Sequence, residues 1–419
     1  MTKTEIAADT QGTKVAEFIS TGELQTQAIE RAPGIFESRG IGNSYLITTS
    51  DGDVLVNAGA LGDARRGQVL FGKISKNPIR HIVLTQSHAN QFGGLEVYKT
   101  PTNTVIAHRL YPLEREYNKA LSQHYQRGSR RIFGSITGKQ ENILPTIEIS
   151  PDLLIDDQHT FELGGRRFEL IWTPGGETRS SLVVWLPDEK IVLVGNLFGP
   201  LLGNQPNLNT LRGDKPRSAL EFVESVKRVR ELGAELLLTG HESISGAKNI
   251  EQLITRIADS VQWIHDRTIQ GMNDGVDLRT LMREVKPPQE LTLTEEYGKV
   301  AWNVRAIWHE YTGWFDPSQG ITELYDVPAS SIAPAIVELA GGTNAILDKA
   351  NEFISAHKLL EALHLVEIAL TVEPLSPLGR ETKKNALTLL AQKVGTKNLW
   401  ERMSIAAGIR ELDSTHKPS

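Results

Sequence analysis

The sequence predicts an α/β domain with a layered α/β/β/α arrangement, followed by an all-α region. Three observations predict it. Short β-rich runs occur in pairs and alternate with helical stretches over residues 34–248. Polar residues come directly after several of these runs, the place where loops on a rigid scaffold often carry chemistry. Beyond residue 248 the β-rich runs disappear, and apolar residues recur at spacings of three and four.

The elements of the α/β region follow one another in a regular order. Residues 1–33 are expected to form an N-terminal segment that precedes it. Helices are expected over Arg65–Lys76 and Arg217–Leu232, and Ser50–Asp53 is a hairpin turn. The runs with strand-like composition are 43–49, 53–59, 79–85, 102–108, a pair within 160–175, a pair within 181–196, and 234–241.

Residues 249–419 are expected to form an all-α domain. Prolines separate several stretches whose apolar residues lie on one helical face. These stretches are 249–272, 293–315, 345–370 and 380–394. The helices predicted at 346–370 and 378–395 are expected to pack as an antiparallel hairpin.

The composition excludes several classes of function. The formal net charge of −6 gives no reason to expect binding to nucleic acid or to an anionic membrane surface. The chain has 0 cysteines, which rules out disulfides, thiol nucleophiles and cysteine-ligated zinc. No stretch approaches the roughly 18 apolar residues that span a bilayer, and the polar N-terminus lacks the apolar core of a signal peptide. We therefore expect a cytoplasmic protein with a small-molecule substrate.

The turn LTQSHANQFGG, Leu84–Gly94, directly follows a predicted strand. It has the outline of a metal-binding turn in which most ligands are absent. Histidines two and five positions apart, with an aspartate between them, would hold a metal pair in such a turn. This chain instead has Gln86, His88, Asn90 and Gln91.

Four segments together resemble the alkylsulfatase branch of the metallo-β-lactamase superfamily. They are TQSHANQFGG, TPGGETRSSL at 173–182, NLNTLRG at 207–213, and VAWNVRAIWHEYTGWFDPS at 300–318. The first is similar to the superfamily's T-H-x-H-x-D-H-x-G-G turn, and the last to the entry of a helical dimerisation domain. The resemblance implies a metallo-β-lactamase-like αββα sandwich over 34–248 and an α-helical dimerisation domain over 249–419, with a homodimer formed through the latter.

The resemblance assigns functional residues unevenly. His88 matches the second histidine of the turn, Glu177 the glutamate after P-G-T, and His241 the histidine that ends the ligand set. Arg212 matches the arginine that contacts sulfate in the family.

Other positions depart from the family pattern. Gln86, Asn90 and Gln91 replace a histidine, an aspartate and a histidine, and Gly195 falls where the family has a glutamate. Asn57 stands at the strand-end aspartate of the superfamily. Amide side chains offer at best a neutral carbonyl oxygen, whereas two dications about 3.5–4 Å apart need carboxylates to offset their repulsion. A standard dizinc centre is therefore not expected, and the metal motif is interpreted as degenerate.

Two kinds of active site stay open at this point. His88, Glu177 and His241 form a two-histidine-one-carboxylate set that could hold a single Zn or Fe. Without metal, His88 or His241 would act as general base and Glu177 would orient it, with Asn90 as an amide donor. In both cases Arg212, Gln86 and Gln91 are the candidate substrate-binding residues.

Three functions follow from these sites. The leading one is a hydrolase that resembles alkylsulfatases and acts on a small or medium organic ester, with Arg212 gripping an anionic group. The second is a catalytically inactive homologue that binds a ligand. The third is a metal-independent lyase or isomerase that uses histidine and glutamate.

Overall fold

The computed structural model describes residues 21–133, 145, 147–211, 213–316 and 320–413. Most of the predicted N-terminal segment, residues 1–20, lies outside the described residues, and so does Arg212. The described residues divide into two compact units, one with residues 21–130 and 147–311, and the other with residues 131–133 and 312–413. The boundary proposed at 248/249 stays a prediction.

The first sheet has seven strands in sequence order. The pairs β1–β2, β2–β3 and β3–β4 are antiparallel, and the pairs β4–β5, β5–β6 and β6–β7 are parallel. The strands are β1 (Ile29–Ala32), β2 (Ile35–Ser38), β3 (Ser44–Thr49), β4 (Gly52–Val56), β5 (Ile79–Val83), β6 (Thr104–His108) and β7 (Leu153–Ile155).

The second sheet has six strands in the order β13-β12-β11-β10-β9-β8. The pair β11–β12 is parallel and the other pairs are antiparallel. The strands are β8 (Gln158–Leu163), β9 (Arg166–Trp172), β10 (Leu182–Leu186), β11 (Ile191–Leu193), β12 (Leu236–Leu238) and β13 (Ser243–Ser245).

Helices cover the outer face of each sheet in this unit. Those against the first sheet are α1 (Leu61–Ile74), α2 (Ala89–Phe92), α3 (Leu95–Tyr98) and α4 (Tyr111–Ala120), and α5 (Ser122–Phe133) follows them in the chain. Those against the second sheet are α6 (Ala219–Glu231), α7 (Ala247–Asn273), α8 (Leu278–Glu284) and α9 (Val300–Thr312).

The central strands are buried on both faces, which explains their continuous apolar composition. In β10, Val184 packs into the apolar layer between the two sheets, whereas Val183 and Trp185 pack against the helices. This period-two division follows from the alternation of side chains along a strand. The layers run helix, sheet, sheet, helix, so the predicted αββα arrangement is confirmed.

The second unit is helical. Its helices are α10 (Ala333–Leu339), α11 (Thr343–Ser355), α12 (Leu359–Val372), α13 (Pro377–Val394) and α14 (Leu399–Asp413). The prediction of a single helix over 346–370 is wrong, because one helix ends at Ser355 and the next begins at Leu359. His357 there has a φ of 57°, a left-handed conformation that ends a helix. Apolar periodicity continues across the break, which is why the sequence pattern did not reveal it.

No helix among the described residues is long and apolar enough to cross a membrane.

Candidate functional site

Four loops meet at one end of the two sheets. They follow β5, β9, β11 and β12, and backbone hydrogen bonds join them. The Leu182 amide donates to the Thr85 carbonyl over 2.9 Å, and the Gly240 amide donates to the Gly195 carbonyl over 2.7 Å. The turn that carries Gln86 is therefore fixed to the start of β10, and the loop that carries His241 is fixed to the loop that carries Gly195.

Asn57 fixes the point where the chain leaves β5. Its side-chain oxygen accepts hydrogen bonds from the Thr85 amide at 2.9 Å and the Thr85 hydroxyl at 3.0 Å. Its φ of 61° is left-handed, which asparagine tolerates better than most residues. Asn57 is thus occupied in holding the turn.

His88 lies between two carboxylates. Its Nδ1 is 3.2 Å from Oε2 of Glu177, and its Nε2 is 2.9 Å from Oδ2 of Asp214. The three side chains are only 11%, 9% and 18% exposed, respectively. Because carboxylates only accept hydrogen bonds when ionised, a doubly protonated ring satisfies both contacts.

One oxygen of the Glu177 carboxylate, Oε2, lies within hydrogen-bonding distance of several side chains. Besides facing His88, Oε2 accepts from Nδ2 of Asn196 at 3.0 Å and from Nε2 of Gln86 at 3.3 Å. Amide and imidazole N–H groups therefore surround the carboxylate that the resemblance would give to a metal.

Gln91 is fully buried and reaches this group through Asn196. Its Nε2 donates to Oδ1 of Asn196 over 3.0 Å, while its Oε1 has no hydrogen-bond partner among the described residues. Two glycines make room for the pair. A Cβ on Gly240 would lie 2.1 Å from Oδ1 of Asn196, and one on Gly42 would lie 2.9 Å from Nε2 of Gln91.

Gly195 leaves no space for a side chain. A Cβ there would lie 2.3 Å from Oγ1 of Thr85, and the φ of 53° is left-handed. The position that resembles a ligand glutamate in the family is therefore closed by the turn itself.

His241 follows β12 and its ring is electrically neutral near pH 7. Burial disfavours the charged form and lowers its pKa to about 4, although the negative charge of Glu177 acts in the opposite direction. Its Nδ1 has no hydrogen-bond partner among the described residues. A neutral ring keeps a nitrogen lone pair for a proton or a ligand.

The remaining predicted residues lie differently. Nδ2 of Asn90 is 3.5 Å from the Ile41 carbonyl, and no described contact joins Asn90 to Glu177. Arg212 lies outside the described residues. Within the described part of the chain, no group of three or more histidine, aspartate or glutamate side chains is placed to hold a metal ion.

A buried glutamate ties two of the site loops together. Glu114, on α4, accepts hydrogen bonds from the Ser87 hydroxyl at 2.7 Å and the Arg179 amide at 2.8 Å, and also from the Ser180 hydroxyl. It therefore sets the distance between the turn that carries His88 and the loop that carries Glu177.

Sequence reasoning missed Asp214, Asn196 and Glu114. Asn196 ends the strand-like run 181–196, and Asp214 directly follows the segment 207–213, so both lie next to residues that were singled out. Their residue types alone do not reveal them, because an acidic or amide residue in a polar loop is ordinarily exposed. Glu114 lies on a helix that was not predicted.

Two known families match most of the chain. Residues 38–241 match the metallo-beta-lactamase superfamily, and residues 279–414 match the alkyl sulfatase dimerisation family.

Several curated alkylsulfatases are similar to the chain. A linear primary-alkylsulfatase of a Pseudomonas strain is 26% identical over 374 residues, covering 82% of this chain and 69% of that protein. An alkyl/aryl-sulfatase of Saccharomyces cerevisiae is 22% identical, covering 82% and 57%. An (R)-specific secondary-alkylsulfatase of a Pseudomonas species is 23% identical, covering 91% and 62%. The chain thus spans between 57% and 69% of the length of these relatives.

Solved structures share the fold. A stereoselective inverting sec-alkylsulfatase from a Pseudomonas species superposes with a TM-score of 0.83 at 20% identity, covering 98% of this chain and 70% of that chain. A double mutant of a sec-alkylsulfatase gives a TM-score of 0.82 at 21% identity, covering 95% and 67%. The predicted fold class, a metallo-β-lactamase-like sandwich followed by a helical domain, is confirmed.

Proposed function

The chain carries a metallo-β-lactamase superfamily domain followed by an alkyl sulfatase dimerisation domain, and we propose that it is a hydrolase of a small or medium, anionic organic ester. The observation that carries the proposal is the placement of His88 between Glu177 and Asp214, at the end of the sheets where the site loops meet. This arrangement can hold and move protons in a cleft.

Each residue has a distinct part in this proposal. Asp214 holds Nε2 of His88 and fixes the ring, so that Nδ1 exchanges protons on the side of Glu177. Gln86 and Asn196 orient the Glu177 carboxylate by donating to it. The neutral ring of His241 is the second group that can accept a proton from water.

We further propose that the site does not form a standard dizinc centre. The support is the chemistry of these side chains. Gln86, Asn90 and Gln91 carry neutral amides in place of metal ligands. Each of the three amides already donates a hydrogen bond within the protein. At Gly195 the space for a ligand side chain is closed. A single Zn or Fe would need His88 to give up one of its carboxylate contacts, so no step is assigned to a metal.

A second candidate function is ligand binding without turnover. Glu177 and His88 satisfy each other and are satisfied by Asn196 and Asp214. A polar network that closes on itself also serves to hold a pocket rigid.

We also propose a cytoplasmic homodimer formed through the helical domain. The segment around the start of the second unit exposes several large apolar side chains, as expected for a surface covered by a second copy. They are Trp314, Ile321, Leu324, Tyr325 and Val327, all at least 50% exposed. Leu324→Asp with Tyr325→Asp should give monomers in light scattering, whereas Val69→Asp on the α/β unit should not.

Turnover of a panel of sulfate, phosphate and carboxylate esters tests the proposed function. The wild-type protein should hydrolyse at least one anionic ester, and His88→Gln should lower that rate about 100-fold or more. Val69→Asp changes an exposed residue on α1 and serves as the surface control. Equal rates in the wild type and His88→Gln would contradict the proposed hydrolase and favour ligand binding without turnover.

A further inference from the structure

Arg217 is a cation beside the site without an ionic partner. It directly precedes the N-cap of α6, where its Nε donates to the Glu177 carbonyl over 3.1 Å and its Nη1 donates to the Asn207 carbonyl. Both acceptors are backbone groups. Among the described residues no carboxylate forms an ion pair with it. Partly buried charges are ordinarily paired, so this one calls for an anion.

The polar atoms around this guanidinium are also unsatisfied. Nη2 of Arg217 is buried and has no hydrogen-bond partner in the described part of the chain. Oδ1 and Nδ2 of Asn207 are in the same state, and the whole residue is only 4% exposed. Buried polar groups are almost always hydrogen-bonded in folded proteins. Arg217 and Asn207 line the same pocket, so the deficiency that they share points to a group bound there.

The local sequence forces this geometry. Gly175 lets the loop before Glu177 press against α6, because a Cβ there would lie 2.1 Å from Cα of Phe222. Its amide donates to the Ser225 hydroxyl over 3.1 Å. The close approach brings the Glu177 carbonyl to Nε of Arg217 and fixes the direction of the guanidinium.

The surroundings strengthen attraction for an anion. Arg217 and Asn207 line a pocket whose wall includes Leu197, Leu208 and Phe222, and apolar walls reduce the screening of charge. Arg217 also lines the neighbouring cleft that contains His88 and Asp214. The negative charge of Glu177 does not cancel the effect outright, because amide and imidazole groups already face its carboxylate.

We infer that Arg217, assisted by Asn207, binds the oxyanion of the substrate: a sulfate, phosphate or carboxylate group. Nη2 of Arg217 and Nδ2 of Asn207 donate to its oxygens, and the planar guanidinium suits such groups better than an ammonium does. The inference rests on the proposed function, because that function makes the bound anion a part of an ester substrate. It assigns anion binding to Arg217 rather than to Arg212.

Anion binding to the full-length protein tests the inference without turnover. Sodium sulfate, phosphate and acetate are titrated separately by calorimetry at constant ionic strength, with chloride as the background. Wild type should bind at least one of them, and Arg217→Gln should bind it at least about tenfold more weakly, as expected for the loss of a charged hydrogen bond. Arg217→Lys should be intermediate, because it keeps the charge and loses the fork.

Arg228→Gln is the matched control. Arg228 lies on α6 and, like Arg217, donates to a backbone carbonyl, that of Trp172, at 2.8 Å, but it is paired with Asp157. This variant should keep the anion affinity of wild type. If Arg217→Gln fails to fold, Arg217→Lys and Asn207→Ser carry the test.

The outcomes separate the two proposals. No binding of any of the three anions to wild type, or equal affinities in the Arg217 variants and Arg228→Gln, would overturn this inference. Intact anion binding without hydrolysis of any ester would overturn the proposed hydrolase and leave the anion site standing.

Discussion

Nε2 of His88 lies 2.9 Å from Oδ2 of Asp214, although the two residues are 126 positions apart in the chain. The contact occupies the ring nitrogen opposite the one that faces Glu177. An imidazole held in this way has a fixed orientation, as general acid–base catalysis requires.

Asp214→Asn should therefore lower the turnover number about 100-fold with a much smaller change in KM, because the amide keeps the shape and removes the charge that holds the ring. Steady-state kinetics on the best substrate of the ester panel provide the measurement. Asp157→Asn, an exposed carboxylate paired with Arg228, is the control and should retain wild-type rates. A full rate in Asp214→Asn would mean that the contact has no catalytic part.

Metal removal should leave the protein unaffected. Protein purified without chelators should contain less than about 0.2 equivalents of any transition metal, because amides replace the basic ligands that bind such ions tightly. EDTA should change neither the ester turnover nor the melting temperature. About one tightly bound Zn or Fe, lost together with activity, would instead support the single-metal set of His88, Glu177 and His241.

Replacing Gly195 should destabilise the protein by more than its left-handed φ alone would cause. Gly195→Ala is expected to lower the free energy of unfolding by roughly 2–4 kcal/mol, since the new Cβ meets Thr85 at a left-handed φ. Gly165→Ala has a similar left-handed φ of 80° but nothing within 4 Å of the Cβ, so it should cost only about 1 kcal/mol. Denaturant unfolding of both variants measures the difference, and equal losses would show that Thr85 yields easily.

The sequence predicted the strands and the turn because both are local. Runs such as 79–85 carry their own β-propensity and burial pattern, and the turn that contains His88 follows directly from the end of one of them. Asp214 could not be found in this way, since its role depends on a tertiary contact between loops that no spacing rule connects. The break at His357 was missed for the opposite reason, because the apolar pattern continues through it.

The structure brings only some of the predicted site residues together, for physical reasons. Gln86, His88 and Glu177 meet because each follows the end of a strand in this sandwich. Asn90 faces the Ile41 carbonyl instead, which is a question of side-chain direction within one turn of helix. Such directions depend on packing and are not encoded by residue type.

The stability of the α/β unit should decrease as the pH falls below neutrality, and His108 should account for part of the loss. Its ring is buried and stacks on Trp172 with centroids 4.9 Å apart, and its Nδ1 accepts from the Leu110 amide at 3.2 Å. Burial lowers its pKa to about 4, below the ordinary value of 6.5 that it regains on unfolding. Between these two values the unfolded chain binds the proton more readily, so stability is complete above about pH 6.5 and decreases by roughly 1–3 kcal/mol towards pH 4.

Replacing His108 isolates this contribution. His108→Phe keeps a ring against Trp172 and does not titrate, so its unfolding free energy should decrease less between pH 6.5 and pH 4 than that of wild type. His124→Gln, at an exposed position on α5, should follow the wild-type curve. Urea unfolding at several pH values supplies the measurement, and it must compare slopes with pH rather than absolute stabilities, because the Phe variant also loses the acceptor for Leu110. Parallel curves for wild type and His108→Phe would show that His108 protonates without opposing the fold, which would contradict its burial as the cause of the lowered pKa.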